Sequence, residues 1–232
     1  MSATPPDRPD PALGVYDTVR VQDGRIQSLD AHLRRLARSV QEVYGLQLSD
    51  EPRHLLSDRA TGLQGEHRIR IDAVPAGTGL RFELFSAPLA PDARRPVALT
   101  PVVVPGGLGA HKWCDRRIVT HHGTDPVPLL VDRDGTLLEG AWANVWMLDG
   151  KRLTTPPADG RILPGVTRDA LRELASSLGL DAHQAPIPLA QAQTAPILLL
   201  TSSVRLAVAA GFGAAPEEPP DVARIRAALA VF

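Results

Sequence analysis

The chain lacks the features that would mark it for export or for a membrane. Its 232 residues contain a single cysteine, so no intrachain disulfide can form. The N-terminus has no apolar segment behind a basic start, and the longest apolar runs fall far short of the ~20 residues that span a bilayer. We therefore expect a cytoplasmic protein.

The sequence also lacks an excess of charge of either sign. Lys and Arg together number 25, against 26 Asp and Glu, which gives a formal net charge of -1. A nearly neutral chain provides no global field that would recruit nucleic acid or an anionic membrane. We expect a small-molecule partner instead.

The spacings typical of metal ligands are missing as well. Four candidate ligands surround the single thiol, but C-x-x-C and H-E-x-x-H patterns are absent. The thiol is that of Cys114, and the four ligands near it in the sequence are His111, His121, His122 and Asp115. A cysteine in a helix is usually a small buried apolar residue and not a nucleophile. The sequence therefore predicts neither a metal site nor a cysteine nucleophile.

Short strands and amphipathic helices follow one another without strict alternation, which favours an α+β fold over a doubly wound sheet. Asp23-Gly24 predicts a tight hairpin, and apolar residues at helical spacing predict a helix from Asp30, a possible N-cap, to Gly45. A second such helix is expected from a cap at Thr167 to Gly179. Other expected elements are a helix over 51–61, strands over 67–74, 79–85, 95–105 and 128–156, a helical turn over 111–123, a buried strand over 196–204 and a last helix over 221–232.

Proline and glycine content suggests how the chain is divided. The proline-rich residues 1–13 are expected to be a disordered tail, and 14–104 an N-terminal α+β domain. The glycine-rich residues 105–110 are the expected interdomain linker. Residues 111–232 would then form the C-terminal domain, with Lys112 at its start.

Four short motifs occur in a specific order: "HLRRL" at 32–36, "HKWCDR" at 111–116, "LLEGAWANVW" at 137–146 and "ILPGVTRD" at 162–169. Together they resemble the class IV aminotransferases, the fold-type IV pyridoxal-phosphate enzymes, which include branched-chain and D-amino-acid aminotransferases and aminodeoxychorismate lyase. The resemblance runs from about residue 14 to 232. It implies a two-domain α+β fold, with a smaller sandwich-like N-terminal α/β domain and a larger C-terminal domain on a strongly curved sheet.

The resemblance implies that Lys112 forms the Schiff base with pyridoxal 5'-phosphate. That chemistry requires a neutral amine, which burial and nearby positive charge favour, and Arg116 could supply such a charge. Glu139 matches the carboxylate that keeps the pyridine nitrogen protonated, so that the ring accepts electrons. An ordinary surface lysine and a strand-end glutamate are the alternatives.

The resemblance also implies which residues hold the cofactor phosphate. Arg35 matches the family's phosphate-binding arginine, and its planar fork suits a dianion. Val166 and Thr167 begin a helix whose first N–H groups would face the anion. Ser203 matches a further phosphate contact, and Asn144 a structural hydrogen-bonding residue.

Several other residues have two interpretations. Trp113, Trp142 and Trp146 would either line the pocket or pack in the core. Arg68 and Arg70 share one strand face, where they would contact a substrate carboxylate or solvent.

The step from Lys112 to Asp115-Arg116 resembles the K-x-x-(N/D)-R pattern of aminodeoxychorismate lyases. We therefore expect conversion of 4-amino-4-deoxychorismate to 4-aminobenzoate and pyruvate, with Lys112 relaying a proton. The alternatives are an aminotransferase acting on D-amino or branched-chain amino acids, and a non-catalytic relative that only binds the cofactor. Arg205 stands where many members of the family have a small or apolar residue. The resemblance also implies that the protein is a homodimer.

Overall fold

The structure is a computed structural model that describes residues 8–123 and 125–232. The chain forms two compact units, one running through Pro91 and resuming over His111–Ile118, the other made of Asp92–Ala110 and Val119–Phe232. This division differs from the expected one. The glycine-rich residues 105–110 belong to the second unit, and the segment with Lys112 belongs to the first.

The first unit is built on a four-stranded antiparallel sheet with the order β2-β1-β3-β4. Its elements are β1 (Val15–Gln22), β2 (Arg25–Ile26), α1 (Leu29–Tyr44), α2 (Glu51–Ala60), β3 (Glu66–Ala76) and β4 (Gly79–Pro88). The predicted hairpin at Asp23-Gly24 is confirmed, since both residues adopt positive φ and join β1 to β2.

Helix α1 packs one apolar face on this sheet, as its periodicity predicts. Leu36 and Val40 are buried in a cluster with Ile69 of β3, and burying such a side chain stabilises by about 1.5–3 kcal/mol. The helix ends at Gly45 in the left-handed conformation, as predicted. The predicted N-cap was wrong: Ser28 occupies that position, and Asp30 lies in the first turn.

The segment with Lys112 is extended, and the predicted helical turn is therefore wrong over 111–116. The Lys112 carbonyl accepts a hydrogen bond from the Tyr16 N–H at 2.7 Å, and Trp113 forms a β-bridge with Val15. A one-turn helix, α3, covers only Arg117–Thr120. Pairing with the start of β1 satisfies backbone groups that a helix would otherwise have used.

Part of the expected disordered tail is ordered. Residues 1–7 lie outside the described part of the chain, but Pro11–Leu13 form a short 3-10 helix. The Asp10 N–H donates to the Asp115 carboxylate at 2.9 Å, and the Tyr44 hydroxyl donates to the Pro11 carbonyl at 2.8 Å. These bonds fix a segment whose composition alone suggested disorder.

The second unit contains a mixed eight-stranded sheet with the order β10-β9-β8-β11-β12-β5-β6-β7. Its strands are β5 (Val97–Val103), β6 (Val127–Val131), β7 (Leu137–Gly140), β8 (Asn144–Asp149), β9 (Arg152–Thr155), β10 (Asp181–Gln184), β11 (Ile197–Ser202) and β12 (Leu206–Phe212). Its helices are α4 (Val166–Leu174), α5 (Leu189–Gln193) and α6 (Pro220–Val231). Strand β5, expected in the N-terminal domain, pairs in parallel with both β12 and β6.

Both faces of this sheet are buried. Along β8, Val145 and Met147 enter one core cluster, while Trp146 and Leu148 enter another that includes Leu171 of α4. The α+β prediction is thus confirmed, with a small antiparallel sheet and a larger curled mixed sheet. Among the described residues, no helix combines the length and apolar character needed to cross a bilayer.

Candidate functional site

Glu139 and Asn144 both hold Leu163, in the loop that precedes α4. Glu139 is buried at the end of β7, and its Oε2 accepts a hydrogen bond from the Leu163 N–H at 3.2 Å. Asn144 begins β8, and its Nδ2 donates to the Leu163 carbonyl at 2.9 Å. A tight turn, closed by mutual backbone bonds of Gly140 and Ala143, brings the two side chains together.

Gly165 is required here by close approach and not by its backbone conformation. Its backbone has a φ of -74°, which any residue can adopt. A Cβ at this position, however, would lie 1.9 Å from the Asn144 Oδ1. Only glycine therefore lets the start of α4 lie directly against Asn144.

The N-terminus of α4 presents hydrogen-bond donors suited to an anion. The Asp169 N–H donates to the Gly165 carbonyl at 3.0 Å, so the N–H groups of Val166 and Thr167 precede the first intrahelical bond. Gly165 is the N-cap, where Thr167 had been predicted. The Ser203 Oγ lies 3.3 Å from the Thr167 Oγ1, so three of the predicted phosphate contacts lie together.

Arg168 fixes the direction of α4, a role that sequence reasoning missed. Its side chain is buried, and Nη2 donates to the Pro156 carbonyl at 2.9 Å and to the Gln184 Oε1 at 2.7 Å. Burial lowers the pKa of Arg168 from its ordinary value. The only signal in the sequence was the position of this arginine, directly after Thr167 in the first turn of the predicted helix.

In the first unit, Lys112 contacts Tyr16, which sequence reasoning did not single out. The Lys112 Nζ lies 4.7 Å from the centre of the buried Tyr16 ring, and the Arg70 Cζ lies 3.9 Å from it. Burial acts to raise the pKa of Tyr16, but the positive charges of Lys112, Arg116 and Arg70 hold it below its ordinary value. Arg116, predicted as a charge near Lys112, thus acts on this cluster.

Lysine is scarce in this chain. The sequence contains two, the half-buried Lys112 and Lys151, which is exposed in the turn between β8 and β9. A reaction that requires a partly enclosed side-chain amine therefore has one candidate.

The single thiol lies beside a charged pair on β3. Asp72 accepts two hydrogen bonds from Arg70, one of them from Nη2 at 2.7 Å, and both side chains interact with Cys114. Burial raises the pKa of Cys114 to about 12, so the thiol stays protonated at neutral pH. Arg68, by contrast, is exposed. Within residues 8–123 and 125–232, no three His, Cys, Asp or Glu side chains are grouped to hold a metal ion.

Arg35 is buried, and its guanidinium is paired with Asp17. Arg35 Nε donates to one carboxylate oxygen at 3.0 Å and Nη2 to the other at 2.7 Å, while the His32 Nδ1 lies 2.8 Å from Asp17 Oδ1. Burial acts to raise the pKa of Asp17, but Arg35 and His32 hold it well below its usual range. Sequence reasoning missed the pairing of Asp17 with Arg35 and His32.

The three tryptophans have different environments. Trp146 is a core residue, fully buried, with Nε1 donating to the Thr201 Oγ1 at 2.9 Å. Trp113 packs against the core of the first unit. Trp142 is half-buried in the turn after Glu139, and the Arg205 Cζ lies 4.4 Å from the centre of its ring.

Comparisons with known proteins give one consistent result. The sequence model for amino-transferase class IV matches residues 14–210. The aminodeoxychorismate lyase of Bacillus subtilis is 26% identical over 221 residues, which cover 83% of this chain and 74% of the lyase. A probable branched-chain-amino-acid aminotransferase of Thermotoga maritima is 26% identical over 194 residues, which cover 73% of this chain and 66%, just under two thirds, of that protein.

The fold has close counterparts among solved structures. A hypothetical aminotransferase from Mycobacterium tuberculosis, in its PLP-bound form, superposes with a TM-score of 0.81 at 22% identity, covering 100% of this chain and 93% of the other. A putative 4-amino-4-deoxychorismate lyase from Legionella pneumophila superposes equally well, at 0.81 and 16% identity. Because the family match spans most of the sequence, the chain belongs to the class IV aminotransferases, the pyridoxal-phosphate-dependent enzymes of fold type IV.

Proposed function

We propose that this protein is a lyase that converts 4-amino-4-deoxychorismate to 4-aminobenzoate and pyruvate. The observation that carries the proposal is the breadth of similarity to the Bacillus subtilis lyase, which takes in 83% of this chain and 74% of the lyase. The corresponding shares for the Thermotoga maritima aminotransferase are 73% and 66%. The sequence from Lys112 to Asp115-Arg116, which resembles the K-x-x-(N/D)-R pattern of aminodeoxychorismate lyases, also supports the lyase.

The donors at the start of α4 fit the phosphate of the cofactor. Val166 and Thr167 would hold it through their N–H groups and the Thr167 hydroxyl, with Ser203 adding a second hydroxyl 3.3 Å from the first. Asn144 would act indirectly, by keeping Leu163 in place. Arg35 is proposed as a further ligand, with Asp17 fixing its guanidinium through Nε and Nη2.

Lys112 would bond the cofactor, and Glu139 would bind the pyridine nitrogen and keep it protonated. When bound, the cofactor supplies an electron sink for bonds broken next to the substrate amine. The buried carboxylate of Glu139 suits this role because a charge at low dielectric interacts strongly with a protonated partner. The hydrogen bond that the Glu139 Oε2 accepts from the Leu163 N–H fixes the orientation of the carboxylate.

In the proposed reaction Lys112 moves a proton. Its Nζ takes the proton from the substrate ring carbon that bears the amine, while the C–O bond to the enolpyruvyl group breaks and the ring becomes aromatic. The departing enolpyruvate then gains a proton to give pyruvate. Tyr16, with Nζ 4.7 Å from its ring centre, limits the positions that this amine adopts.

A class IV aminotransferase is the second candidate, because the Thermotoga maritima relative is also 26% identical over most of this chain. In that case Lys112 would move a proton at the α-carbon of a D-amino or branched-chain amino acid. The family resemblance implies a homodimer for either enzyme. Light scattering would check this by measuring the molar mass in solution.

The test uses the scarcity of lysine. Absorbance spectra with added pyridoxal phosphate are recorded for the wild type, Lys112→Ala and the matched control Lys151→Ala. We expect a visible cofactor band in the wild type and in Lys151→Ala, and none in Lys112→Ala. A band that persists in Lys112→Ala would refute the assignment of this lysine.

Aminodeoxychorismate is then mixed with the loaded protein. Formation of 4-aminobenzoate and pyruvate, detected by fluorescence and by a coupled assay, supports the lyase. A band without 4-aminobenzoate, together with keto acid formed from D-amino or branched-chain amino acids, favours the aminotransferase. A wild type that forms no band would be a relative without the family's chemistry.

A further inference from the structure

We propose that Arg205 is a specificity-determining residue that binds a carboxylate of the substrate, so that the enzyme accepts anionic amino compounds and discriminates against neutral amines. The inference rests on the proposed function, because it assigns a substrate class to the same site. It depends on one residue pair, Arg205 and Trp142, in the second unit.

Arg205 lies in the same turn as a proposed phosphate contact. Residues 203–205 join β11 to β12, and the Arg205 N–H donates to the Ser202 Oγ at 3.3 Å. Ser203, two residues earlier, has its Oγ 3.3 Å from the Thr167 Oγ1 at the start of α4. Arg205 is therefore presented next to the donors that would hold the cofactor.

Trp142 comes from the neighbouring turn. Strands β8 and β11 are adjacent and antiparallel, with Asn144 opposite Thr201, so the turn before β8 and the turn after β11 emerge at the same end of the sheet. Trp142 lies in the first of these turns, between Glu139 and Asn144. The Arg205 Cζ lies 4.4 Å from its ring centre, which joins the two turns.

Stacking on an aromatic ring is compatible with carboxylate binding. A guanidinium directs all of its N–H groups within its own plane, so contact with a ring through one face does not use these donors. The ring also restricts the rotamers of a long side chain, which lowers the entropy lost when a ligand binds. Trp142 thus holds Arg205 in an orientation from which a planar fork can bind a carboxylate.

The turn is also conformationally fixed. Leu206, the residue after Arg205, has a φ of 61°, in the left-handed region that a leucine rarely adopts. Its side chain is buried in the cluster that contains Trp146 and Leu199, and this burial stabilises the unusual conformation. Arg205 is therefore attached to a backbone whose shape is determined by the core.

The experiment compares ligands that differ only in a carboxylate. Binding of 4-aminobenzoate and 4-aminobenzamide, and of norvaline and norvalinamide in both enantiomers, is measured by calorimetry on the cofactor-loaded protein. We expect the wild type to prefer the acid of at least one pair by about 10–100-fold, the range for a charge-assisted hydrogen bond. In Arg205→Met that preference should vanish, while Arg133→Met, at an exposed position, should retain it.

Two further variants separate binding from folding. Arg205→Lys keeps the charge without the fork and should retain part of the preference, and Trp142→Leu should reduce it by loosening Arg205. Melting temperatures check that each variant is folded. An acid preference unchanged in Arg205→Met, or absent from the wild type, would overturn the proposal. Failure of the proposed function would appear separately, as a cofactor-loaded wild type that forms no 4-aminobenzoate from aminodeoxychorismate, because the calorimetric preference is measured without that substrate.

Discussion

Asp17 accepts hydrogen bonds from Arg35 through both carboxylate oxygens, at 3.0 Å from Nε and 2.7 Å from Nη2. The pair joins β1 to α1 inside the first unit, and His32 contacts the same carboxylate. Two residues of the "HLRRL" motif are therefore part of the buried structure, whatever ligand Arg35 also binds. A buried carboxylate and guanidinium that lose one partner leave an uncompensated charge.

Asp17→Ala should lower the free energy of unfolding by about 3–5 kcal/mol, because Arg35 would stay buried without its carboxylate. Urea denaturation at pH 7 measures this change. Asp58→Ala, at an exposed position on α2, is the control and should change stability by less than about 0.5 kcal/mol.

The same pair predicts a pH dependence. The pKa of Asp17 is held well below its usual value in the folded protein, so its contribution is complete above the unfolded pKa of about 4 and is lost as the pH falls towards the folded one. Wild-type stability should therefore fall below about pH 4 more steeply than that of Asp17→Ala. If the free energy of unfolding of the wild type and of Asp17→Ala fell in parallel with pH, Asp17 would not be ionised in the folded protein.

Gly165→Ala should destabilise the protein by about 1–3 kcal/mol, because the new Cβ would lie 1.9 Å from the Asn144 Oδ1. It should also weaken cofactor binding by displacing the start of α4. Gly79→Ala, where a Cβ meets no atom within 4 Å, is the control. In a double-mutant cycle, adding Asn144→Ala should recover part of the loss, and strict additivity would mean that the two residues do not interact.

Glu139→Gln tests charge separately from structure. An amide oxygen can still accept the Leu163 N–H, so stability should change by less than about 1 kcal/mol. If Glu139 keeps the cofactor ring protonated, kcat should fall by about a hundredfold or more, and the cofactor band should shift. Glu173→Gln, at an exposed position on α4, should leave both unchanged. An unaltered kcat in Glu139→Gln would leave this carboxylate with a structural role alone.

Local signals in the sequence predicted the local structure. The hairpin at Asp23-Gly24 and the end of α1 at Gly45 follow from backbone preferences that act within a few residues. Glu139, Asn144 and Thr167 were named from motifs, and the structure places them around one loop because short turns connect their elements.

What could not be predicted depends on residues far apart in the chain. The segment with Lys112 is extended because its backbone bonds to Tyr16, and no local pattern reveals that partner. The pairing of Asp17 with Arg35 was hidden for the same reason. Strand β5 was assigned to the wrong unit because its apolar sequence suits either sheet, and only its parallel neighbours determine where it lies.

The position of β5 limits how this protein can be divided for expression. The glycine run follows β5, so a cut there would remove the strand that lies between β12 and β6 and expose both as unpaired edges. The other fragment would lose residues 111–118, which belong with the first unit. Neither half would be a folding unit, so activity restored by mixing the two fragments would require a strand to be exchanged between them.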